Sequence, residues 1–445
     1  MAGGYWEKQD KVRPGVYIRF ETDEPLGLTV GDRGTVAICE PMSWGPVGQI
    51  MTVEAGADTT PFCGYAITEP GALFLKEMFK GTNRTNPPQK VLLYRPSASG
   101  SAQATATLGS LTAKALYPGV RGNDITIIIT ALTEPESSFQ VDTLVSGNLV
   151  DSQVAATVDT LAANAWVEFS GTGALTANSG QALASGADGT VQAANYTPFL
   201  TSLEAYDFDV VVYDGDDTTI MEAYQSFVER MVTEDGKWCQ ALVSGMTNPD
   251  SQYVINSISG AVLSDGTTLT PQQVTWWLGG AEVGAGYNES LTYAQYPGAV
   301  DVSPRLTNSQ AVQAIQSGEI GLLVDDGTVK IEQDINSLVT YTEKVGKVFH
   351  KNRIIRLCST IANDLKQQFS DNYIGQVNNN EEGRNMFKAA IVSYLLDLQA
   401  EQAIQNFDSE DITVEPGEDI DAILVTLSIY VVDAVEKIYV QVTVS

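Results

Sequence analysis

The sequence is poor in the residues that most catalytic and metal sites require. It has one histidine, His350, so a mechanism with a histidine base or several histidine ligands would depend on that residue alone. Its four cysteines, Cys39, Cys63, Cys239 and Cys358, are far apart and form no CxxC pair, which argues against a zinc site and predicts buried thiols. We expect no enzyme, no cofactor and no metal, and we expect His350 to lie at a surface or interface.

Positive charge is also scarce. The chain has 25 lysines and arginines against 55 aspartates and glutamates, a formal net charge of -30. A field of this sign repels nucleic acid and anionic lipid, so neither is an expected partner. No run approaches the roughly 18 apolar residues that span a bilayer, and the start lacks the apolar core of a secretory signal. We therefore expect a chain that folds in the cytoplasm and does not bind a membrane.

What is present is the composition of a globular protein with several domains. Hydrophobic residues make up 43% of the 445 residues, and this length corresponds to about two to four domains. Residues 21–96 alternate strand, helix and strand, and the same pattern resumes after residue 197 with the buried strand YDFDVVVYDG. Between them, residues 97–196 are rich in Ala, Gly, Ser and Thr, with short strands and Gly-rich turns. The pattern predicts an all-β domain inserted into an α/β domain.

The part of the sequence after residue 318 has a different pattern. Strand segments come first, followed by helices predicted over about 347–368 and 383–405. The sequence closes with two β-prone runs, 422–433 and 436–445, which a short turn would join into a hairpin. The predicted fold class is thus a mixed α+β and α/β multidomain protein: an α/β core, an inserted all-β domain, and a C-terminal α+β domain that ends in a β-hairpin.

Both ends of the sequence carry apolar strand patterns. RPGVYIRF places Val16, Tyr17 and Ile18 after a Pro-Gly turn, and KIYVQVTVS alternates apolar and polar residues up to the last position. The apolar and aromatic residues of the second run are Ile438, Tyr439, Val440, Val442 and Val444. A free apolar edge strand promotes aggregation unless something pairs with it. Two interpretations stay open: the strand docks in its own sheet, or it is donated to a neighbouring copy.

Two further motifs have weak chemical interpretations. Asp207, Asp209, Asp214, Asp216 and Asp217 cluster around the end of a predicted parallel strand, where open α/β sheets usually bind ligands. They form either a solvated acidic loop, which the missing EF-hand spacing favours, or a cation site. The glycines of GGAEVGAG follow a helix and lack the GxGxxG order, so they predict close backbone packing rather than a nucleotide site.

One segment departs from the acidic character of the chain. Residues 344–366 carry six lysines and arginines against one aspartate, Asp364. The three- and four-residue spacings of Lys344, Lys347 and Lys351 predict that these side chains share one helical face. Such a face is either simply solvated or meets an acidic surface on another protein.

Together these segments resemble the tail sheath proteins of contractile phages and phage-derived bacteriocins, particularly the Gram-positive prophage type. The resemblance lies in RPGVYIRF, ALYPGVRGNDITIII, YDFDVVVYDG, WWLGGAEVGAG and the region 318–445, in their order and spacing. It implies five parts. These are an N-terminal arm (1–20), an α/β domain (21–96 and 197–317), an inserted β domain (97–196), a C-terminal tube-facing domain (318–436) and a C-terminal arm (437–445).

The resemblance also implies a function. The expected role is that of a structural subunit that polymerises helically around an inner tube and contracts to drive the tube through a target cell envelope. Both arms would add strands to neighbouring subunits, and Lys344, Lys347 and Lys351 would contact the tube. The implied partners are further copies of the chain, the inner tail tube protein, and baseplate and tail terminator proteins. The particle would be a virion tail or a phage-tail-like particle, assembled in the cytoplasm of a bacterial host.

Two other classes are weighed against this one. A self-assembling shell or surface-layer protein would also need exposed strands, but it would lack a tube-facing basic helix and would not change length. An enzyme of the α/β class would need a site that a single histidine and no recognisable nucleophile make hard to build.

Overall fold

The computed structural model describes residues 2–4, 15–17, 33–135 and 137–444. These residues form two compact units. One unit holds the described residues of Met1–Gly31 together with Asp364–Val432, and the other holds those of Asp32–Asn363 together with Asp433–Ser445. We call them the small unit and the large unit.

The first elements are short. They are β1 (Ala2–Gly4), β2 (Gly15–Tyr17), β3 (Thr35–Cys39), β4 (Ile50–Glu54), α1 (Thr60–Cys63), α2 (Leu73–Met78) and β5 (Lys90–Tyr94). In the small unit, β1 pairs with β2 in parallel. The strand predicted near Val16 is therefore present and already has a partner within its own chain, whereas the sequence suggested an unpaired strand. Ile18 lies outside the described residues.

Among the described residues of the inserted region, the regular elements are β-strands and short 3-10 turns. Its strands are β6 (Thr105–Leu108), β7 (Leu111–Ala115), β8 (Ile125–Ala131), β9 (Phe139–Val145), β10 (Asn148–Ala155), β11 (Val167–Gly171) and β12 (Asn178–Ala182). They form two sheets, of order β10-β9-β8-β12 and β11-β7-β6. Alternate residues of both sheets build one apolar core, as the period-2 pattern of the strands requires.

The chain then returns to α/β structure. The next elements are α3 (Thr197–Leu203), β13 (Val210–Val212), α4 (Thr218–Thr233), β14 (Gln240–Ser244), β15 (Val254–Ser257), β16 (Gly260–Leu263), β17 (Thr268–Leu269), α5 (Pro271–Gly284), β18 (Ala299–Ser303), α6 (Asn308–Gln316), β19 (Glu319–Ile320), β20 (Leu322–Asp325) and β21 (Thr328–Ile331). Smaller antiparallel sheets accompany them, β17-β16-β18 and the hairpin β20-β21.

A seven-stranded sheet of order β19-β15-β14-β13-β3-β5-β4 organises the large unit. All neighbouring pairs are parallel except β4 with β5 at one edge. Val36 and Ile38 of β3 point to a core shared with α5, and Ala37 and Cys39 point to a core shared with α4. Both faces of the sheet are covered, which explains why its strands are continuous apolar runs. The predicted insertion is confirmed, because β5 and β13 flank the inserted strands in sequence and lie in one sheet.

The Gly-rich stretch of α5 packs directly against its neighbours. A Cβ atom on Gly279 would lie 2.5 Å from Val212 Cγ2, and one on Gly280 would lie 1.9 Å from the carbonyl oxygen of Met78. Real Cβ atoms do not approach so closely, so only glycine fits at these positions. The prediction of close backbone packing is confirmed.

The inserted domain is tied to the α/β layer by large side chains. Trp44 of the α/β layer is buried, with its ring centroid 4.6 Å from that of Trp166 and 5.3 Å from that of Tyr117. Arg121 stacks over the Tyr65 ring at 4.1 Å and donates from Nε to the carbonyl oxygen of Gly64. These contacts fix the sandwich to the sheet layer at its base.

The remaining elements are two long helices and short strands. They are α7 (Asn352–Asn372), α8 (Glu381–Ala400), β22 (Ile404–Gln405), β23 (Ile412–Pro416), β24 (Ile423–Leu427) and β25 (Tyr430–Val431). In the small unit, Phe369 of α7 stacks on Phe387 of α8 with centroids 4.0 Å apart. The predicted mixed α+β fold class is therefore confirmed, and both long helices lie close to their predicted positions.

The hairpin near the C-terminus has different strands from those predicted. β24 pairs with β23, which precedes it, because the short turn 417–422 brings the two together. β25 pairs with β22. None of the described residues 433–444 belongs to a helix or strand. The predicted pairing of 422–433 with 436–445 was therefore wrong.

Candidate assembly surfaces

Residues 437–444 form a largely apolar segment that the chain leaves exposed. We call this segment the C-terminal arm. Ile438, Tyr439, Val440, Val442 and Val444 are each between 76% and 90% exposed. In a β-strand, Ile438, Val440, Val442 and Val444 would lie on one side, since side chains alternate with period two. A strand with this pattern has an apolar face that only another surface can bury.

The arm begins at a residue that is firmly held. Glu436 accepts a hydrogen bond from Thr292 Oγ1 at 2.8 Å and one from Gln333 Nε2 at 2.6 Å. Lys351 Nζ also donates to the Glu436 carboxylate. Burial by itself raises the pKa of Glu436, but the hydrogen bonds from Lys351, Gln333 and Thr292 together bring that pKa below its ordinary value. The carboxylate is therefore ionised at neutral pH.

Next to this contact lies a buried ion network. Arg356, fully buried in α7, donates from Nη1 to Glu282 of α5 and from Nη2 to Asp334 at 2.6 Å. Asp334 also accepts from the Leu291 backbone N–H at 2.9 Å. Asn352 donates to the carbonyl oxygen of Ile335. The network joins the first turns of α7 to α5 and to the segment after β21.

The two carboxyls of this network differ in their pKa values. Burial, and next the negative charge of Asp334, raise the pKa of Glu282 to about 8. Burial also acts to raise the pKa of Asp334, but the charge and hydrogen bonds of Arg356 outweigh it and lower that pKa. At neutral pH the network therefore contains one cation, one carboxylate and one protonated carboxyl, which balances the buried charge.

A pH dependence of stability follows. Because the folded pKa of Glu282 is above its unfolded value of roughly 4.3, the folded chain binds one more proton than the unfolded chain between these values. This contribution is fully present below about pH 4.3 and is lost as the pH rises to about 8. We expect Glu282→Gln to remove that decline, because a glutamine amide can donate to Asp334 without ionising. Urea unfolding at a series of pH values checks this, and parallel curves for the two proteins would contradict it.

The three candidate lysines do not share a helical face. Lys344 lies in a bend, Lys347 begins a 3-10 turn (Lys347–His350), and Lys351 precedes α7. The helix starts later than predicted, because Lys351 forms a β-bridge with Ile335. Lys344 and Lys347 are exposed, whereas Lys351 is engaged by Glu436. The predicted single basic face was therefore wrong, and only two of the three lysines are available to a partner.

His350 is not at a surface, contrary to expectation. It is buried, and its Nδ1 lies 2.6 Å from the carbonyl oxygen of Leu338. Burial, together with the nearby charges of Lys351 and Lys347, lowers its pKa. The ring packs edge-on against Tyr341. Its position indicates a structural role in holding the turn before α7.

The acidic cluster has mainly structural contacts. Asp209 accepts from the backbone N–H groups of Gly34 and Thr35, and Asp214 accepts from Trp276 Nε1 at 2.8 Å. Asp217 caps α4 by accepting from the Thr219 N–H at 2.8 Å. Within the described ranges, no group of three or more His, Cys, Asp or Glu side chains is placed to hold a metal ion. The cluster is thus only partly the solvated loop that the sequence suggested.

Two other expectations concern thiols and membranes. Cys39, Cys63 and Cys239 are buried as predicted, and Cys358 is partly exposed; all four are free thiols. Burial raises the pKa of Cys63 and of Cys358 to about 11. Among the helices in the described part of the chain, none has both the length and the apolar character that crossing a bilayer requires.

Sequence reasoning missed Glu436, Thr292, Gln333 and Arg356. Arg356 belongs to the basic segment 344–366, and this was a signal that the sequence offered. Its buried partners, Asp334 and Glu282, lie 22 and 74 residues away in the sequence, so they could not be identified. Glu436 had none, because its partners lie between 85 and 144 residues away in the sequence.

The architecture defines the class of protein, and comparison with known families agrees. Four family models match consecutive parts of the chain. They are the tail sheath protein Gp18 domain III N-terminal region (33–95), the phage tail sheath protein beta-sandwich domain (99–188), the phage tail sheath protein central domain (189–337) and the phage tail sheath C-terminal domain (344–445). The chain belongs to the phage tail sheath protein family and is a sheath subunit.

Individual relatives support this assignment. The phage-like element PBSX protein XkdK of Bacillus subtilis is 33% identical over 476 residues, with 100% of each chain covered. The crystal structure of a sheath tail protein from Desulfitobacterium hafniense is 40% identical, with a TM-score of 0.87 over 96% of this chain and 99% of that one. The helical sheath of the anti-feeding prophage in its contracted state is 12% identical, with a TM-score of 0.59 over 97% and 99% of the two chains, and shares the fold.

Proposed function

We propose that this chain polymerises helically around an inner tail tube and contracts to drive the tube through the envelope of a target cell. The observation that carries the proposal is the C-terminal arm, which is apolar, exposed and held at its root by Glu436. A chain that kept this segment to itself would bury its apolar face in its own sheet. An exposed face with a fixed root is suited to pairing with another copy.

The arm is suited to join neighbouring subunits in a lattice whose subunits rearrange. A donated strand of this length forms several backbone hydrogen bonds, each contributing roughly 1 kcal/mol net, and buries its apolar side chains on the recipient. Residues 433–436 connect the arm to its own subunit. The arms would then keep neighbours joined while their rigid bodies rotate. Val16, Tyr17 and Ile18 are the corresponding residues of a proposed N-terminal arm.

We propose that five segments of the chain have separate structural roles. These are the N-terminal arm (1–20), the α/β domain (21–96 and 197–317), the inserted β domain (97–196), the tube-facing domain (318–436) and the C-terminal arm (437–445). The role is structural, because contraction requires only two packings of the same subunits that differ in free energy. No bond-making step and no nucleotide are needed. Baseplate and tail terminator proteins are proposed as partners at the two ends of a phage-tail-like particle.

For the tube contact we propose Lys344 and Lys347. Both are exposed in an otherwise acidic chain, and neighbouring Glu343 is the nearest acidic residue in sequence. An acidic tube surface would attract these two side chains while the net charge of the chain repels it elsewhere. Lys351 is not part of this surface, because Glu436 engages it.

Charge reversal tests the tube contact. We expect Lys344→Glu and Lys347→Glu each to weaken co-assembly with the tube protein by roughly fivefold at low salt, and less at high salt because screening reduces surface electrostatics. Lys114→Glu, an equally exposed lysine of β7, is the matched control and should leave co-assembly unchanged. Co-sedimentation with purified tubes measures the effect. Equal binding by all three variants would show that the tube contact lies elsewhere.

Electron microscopy of the purified chain tests the proposed function as a whole. The expected result is hollow helical tubes, alone or on added tail tube. A chain that stays monomeric at high concentration, with and without the tube protein, would contradict the proposal.

A further inference from the structure

The root of the C-terminal arm is held by three separate parts of the large unit. Thr292 follows α5, Gln333 follows β21, and Lys351 precedes α7; all three donate to the carboxylate of Glu436. Asp433, on the same segment, lies 4.0 Å from Lys351 Nζ. The Glu436 side chain is only 11% exposed, so solvent screens these contacts less than it screens an exposed ion pair, which contributes little. The contact is therefore a specific attachment of the segment.

The attachment continues into the buried ion network. Thr292 Oγ1 donates to Glu436 and accepts from the Asp334 backbone N–H at 3.0 Å. Asp334 in turn receives Arg356 Nη2 at 2.6 Å. Thr292, one partner of Glu436, is thus linked through the backbone and side chain of Asp334 to the buried ion network.

The arm itself contrasts with its root. From Ile438 onward its apolar side chains are exposed, and the described residues 437–444 adopt no strand. A strand that pairs with another sheet must enter in one register, because a shift of one residue turns its apolar face to solvent. If the position at which the arm leaves its subunit is fixed, the arm cannot shift its register.

We propose that Glu436, held by Lys351, Gln333 and Thr292, is a root clamp that fixes where and in which direction the C-terminal arm leaves its subunit, so that a second copy of this chain receives residues 437–444 in one register. This inference rests on the proposed function and adds the positioning residues that it requires. Lys351 thereby has a role in arm positioning and not in tube contact.

Limited proteolysis tests the clamp directly. Trypsin binds residues on both sides of the bond that it cleaves, so cleavage after Lys437 requires Glu436 to leave its contacts and then releases residues 438–445. We expect Lys351→Met to speed release of this peptide by about fivefold or more, because losing a charge-assisted hydrogen bond raises the open population. The substitution leaves the sequence at the cleaved bond unchanged. Mass spectrometry of the full-length chain, diluted until light scattering shows monomers, measures the rate.

Matched variants separate the clamp from general effects of charge. Lys114→Met removes the same charge from an exposed lysine of β7 and should release the peptide at the unmodified rate. Lys351→Arg retains a cationic donor and should restore slow release. Gln333→Leu, which removes one donor without a charge change, should give an intermediate rate and serves if Lys351→Met does not fold. Equal rates for Lys351→Met, Gln333→Leu and the unmodified chain would overturn the clamp.

A second measurement connects the clamp to assembly. Under conditions where the unmodified chain forms tubes, we expect Lys351→Met to give fewer and shorter tubes, and Lys114→Met and Lys351→Arg to match the unmodified chain when no tube protein is present. Identical tubes from Lys351→Met would overturn the role in strand register. If the unmodified chain forms no tubes, the proposed function fails, while the proteolysis rates still decide whether Glu436 holds the arm.

Discussion

A chain that ends at Glu436 is expected to fold normally and to form no helical tubes. The truncation removes the arm and leaves the root contacts with Thr292, Gln333 and Lys351 in place. Since residues 437–444 make up an exposed apolar segment, their loss should not lower the stability of the isolated subunit. Without a donated strand, each neighbour loses several backbone hydrogen bonds and an apolar interface, and the loss is repeated at every subunit of a polymer.

Point variants show whether the arm acts through its apolar face. Val440→Asp with Val442→Asp places two charges on that face and should abolish tubes as the truncation does. Gln441→Ala with Thr443→Ala changes the opposite side of the strand and should leave assembly largely intact. Negative-stain electron microscopy and sedimentation velocity measure the outcome. Tubes from the truncated chain would contradict strand donation by this arm.

Substitution of Arg356 is expected to have a large effect on the stability of the subunit. Arg356→Met is expected to lower the free energy of unfolding by about 3–5 kcal/mol, because it leaves the buried carboxyls of Glu282 and Asp334 without their cation. Arg305→Met is the control. Arg305 pairs with Asp301 at an exposed site, where solvent screens the ion pair, so its loss should leave the stability essentially unchanged.

Urea unfolding followed by tryptophan fluorescence measures this effect, since Trp276 and Trp277 lie on α5 close to Glu282 in sequence. The variant that removes the opposing charge offers a further check. Adding Asp334→Asn to Arg356→Met should recover part of the lost stability, because the buried carboxylate is then absent. A stability of Arg356→Met within 1 kcal/mol of the unmodified chain would show that the network contributes far less than buried ion pairs typically do.

Much of the fold could be predicted because it depends on local patterns. The apolar runs of β3 and β13 and the helical spacing of α4 indicate a sheet covered on both faces. The change to Ala, Gly, Ser and Thr after residue 97 marks the inserted sandwich. The glycines of α5 were correctly interpreted as packing sites, because their order excluded a nucleotide loop.

The errors all concern contacts between distant residues. The spacing of Lys344, Lys347 and Lys351 fits a helix. Because Lys351 forms a β-bridge with Ile335, however, α7 begins only at Asn352. The strand β24 has strong β propensity, but propensity does not select between β23 and the arm as its partner. Pairing with β23 is what leaves the arm free.

The structure changes the reason for expecting the C-terminal arm to pair with another copy. The sequence predicted a terminal strand that forms a hairpin with 422–433, and it left open whether that strand is instead donated to a neighbouring copy. In the structure this segment is anchored at Glu436 and exposed beyond it. The two strands that precede it in sequence, β24 and β25, already pair with β23 and β22 of the same chain. A single sequence does not reveal this, because the carboxylate of Glu436 and the lysine that engages it are 85 positions apart.

The central claim is that the C-terminal arm of one subunit completes a sheet in another. Cryo-electron microscopy of tubes assembled from the full-length chain tests it most directly. The density for residues 437–444 is expected to leave its own subunit after Glu436 and to continue as a strand paired with a neighbouring copy. Density that folds back into a sheet of the same subunit would contradict it.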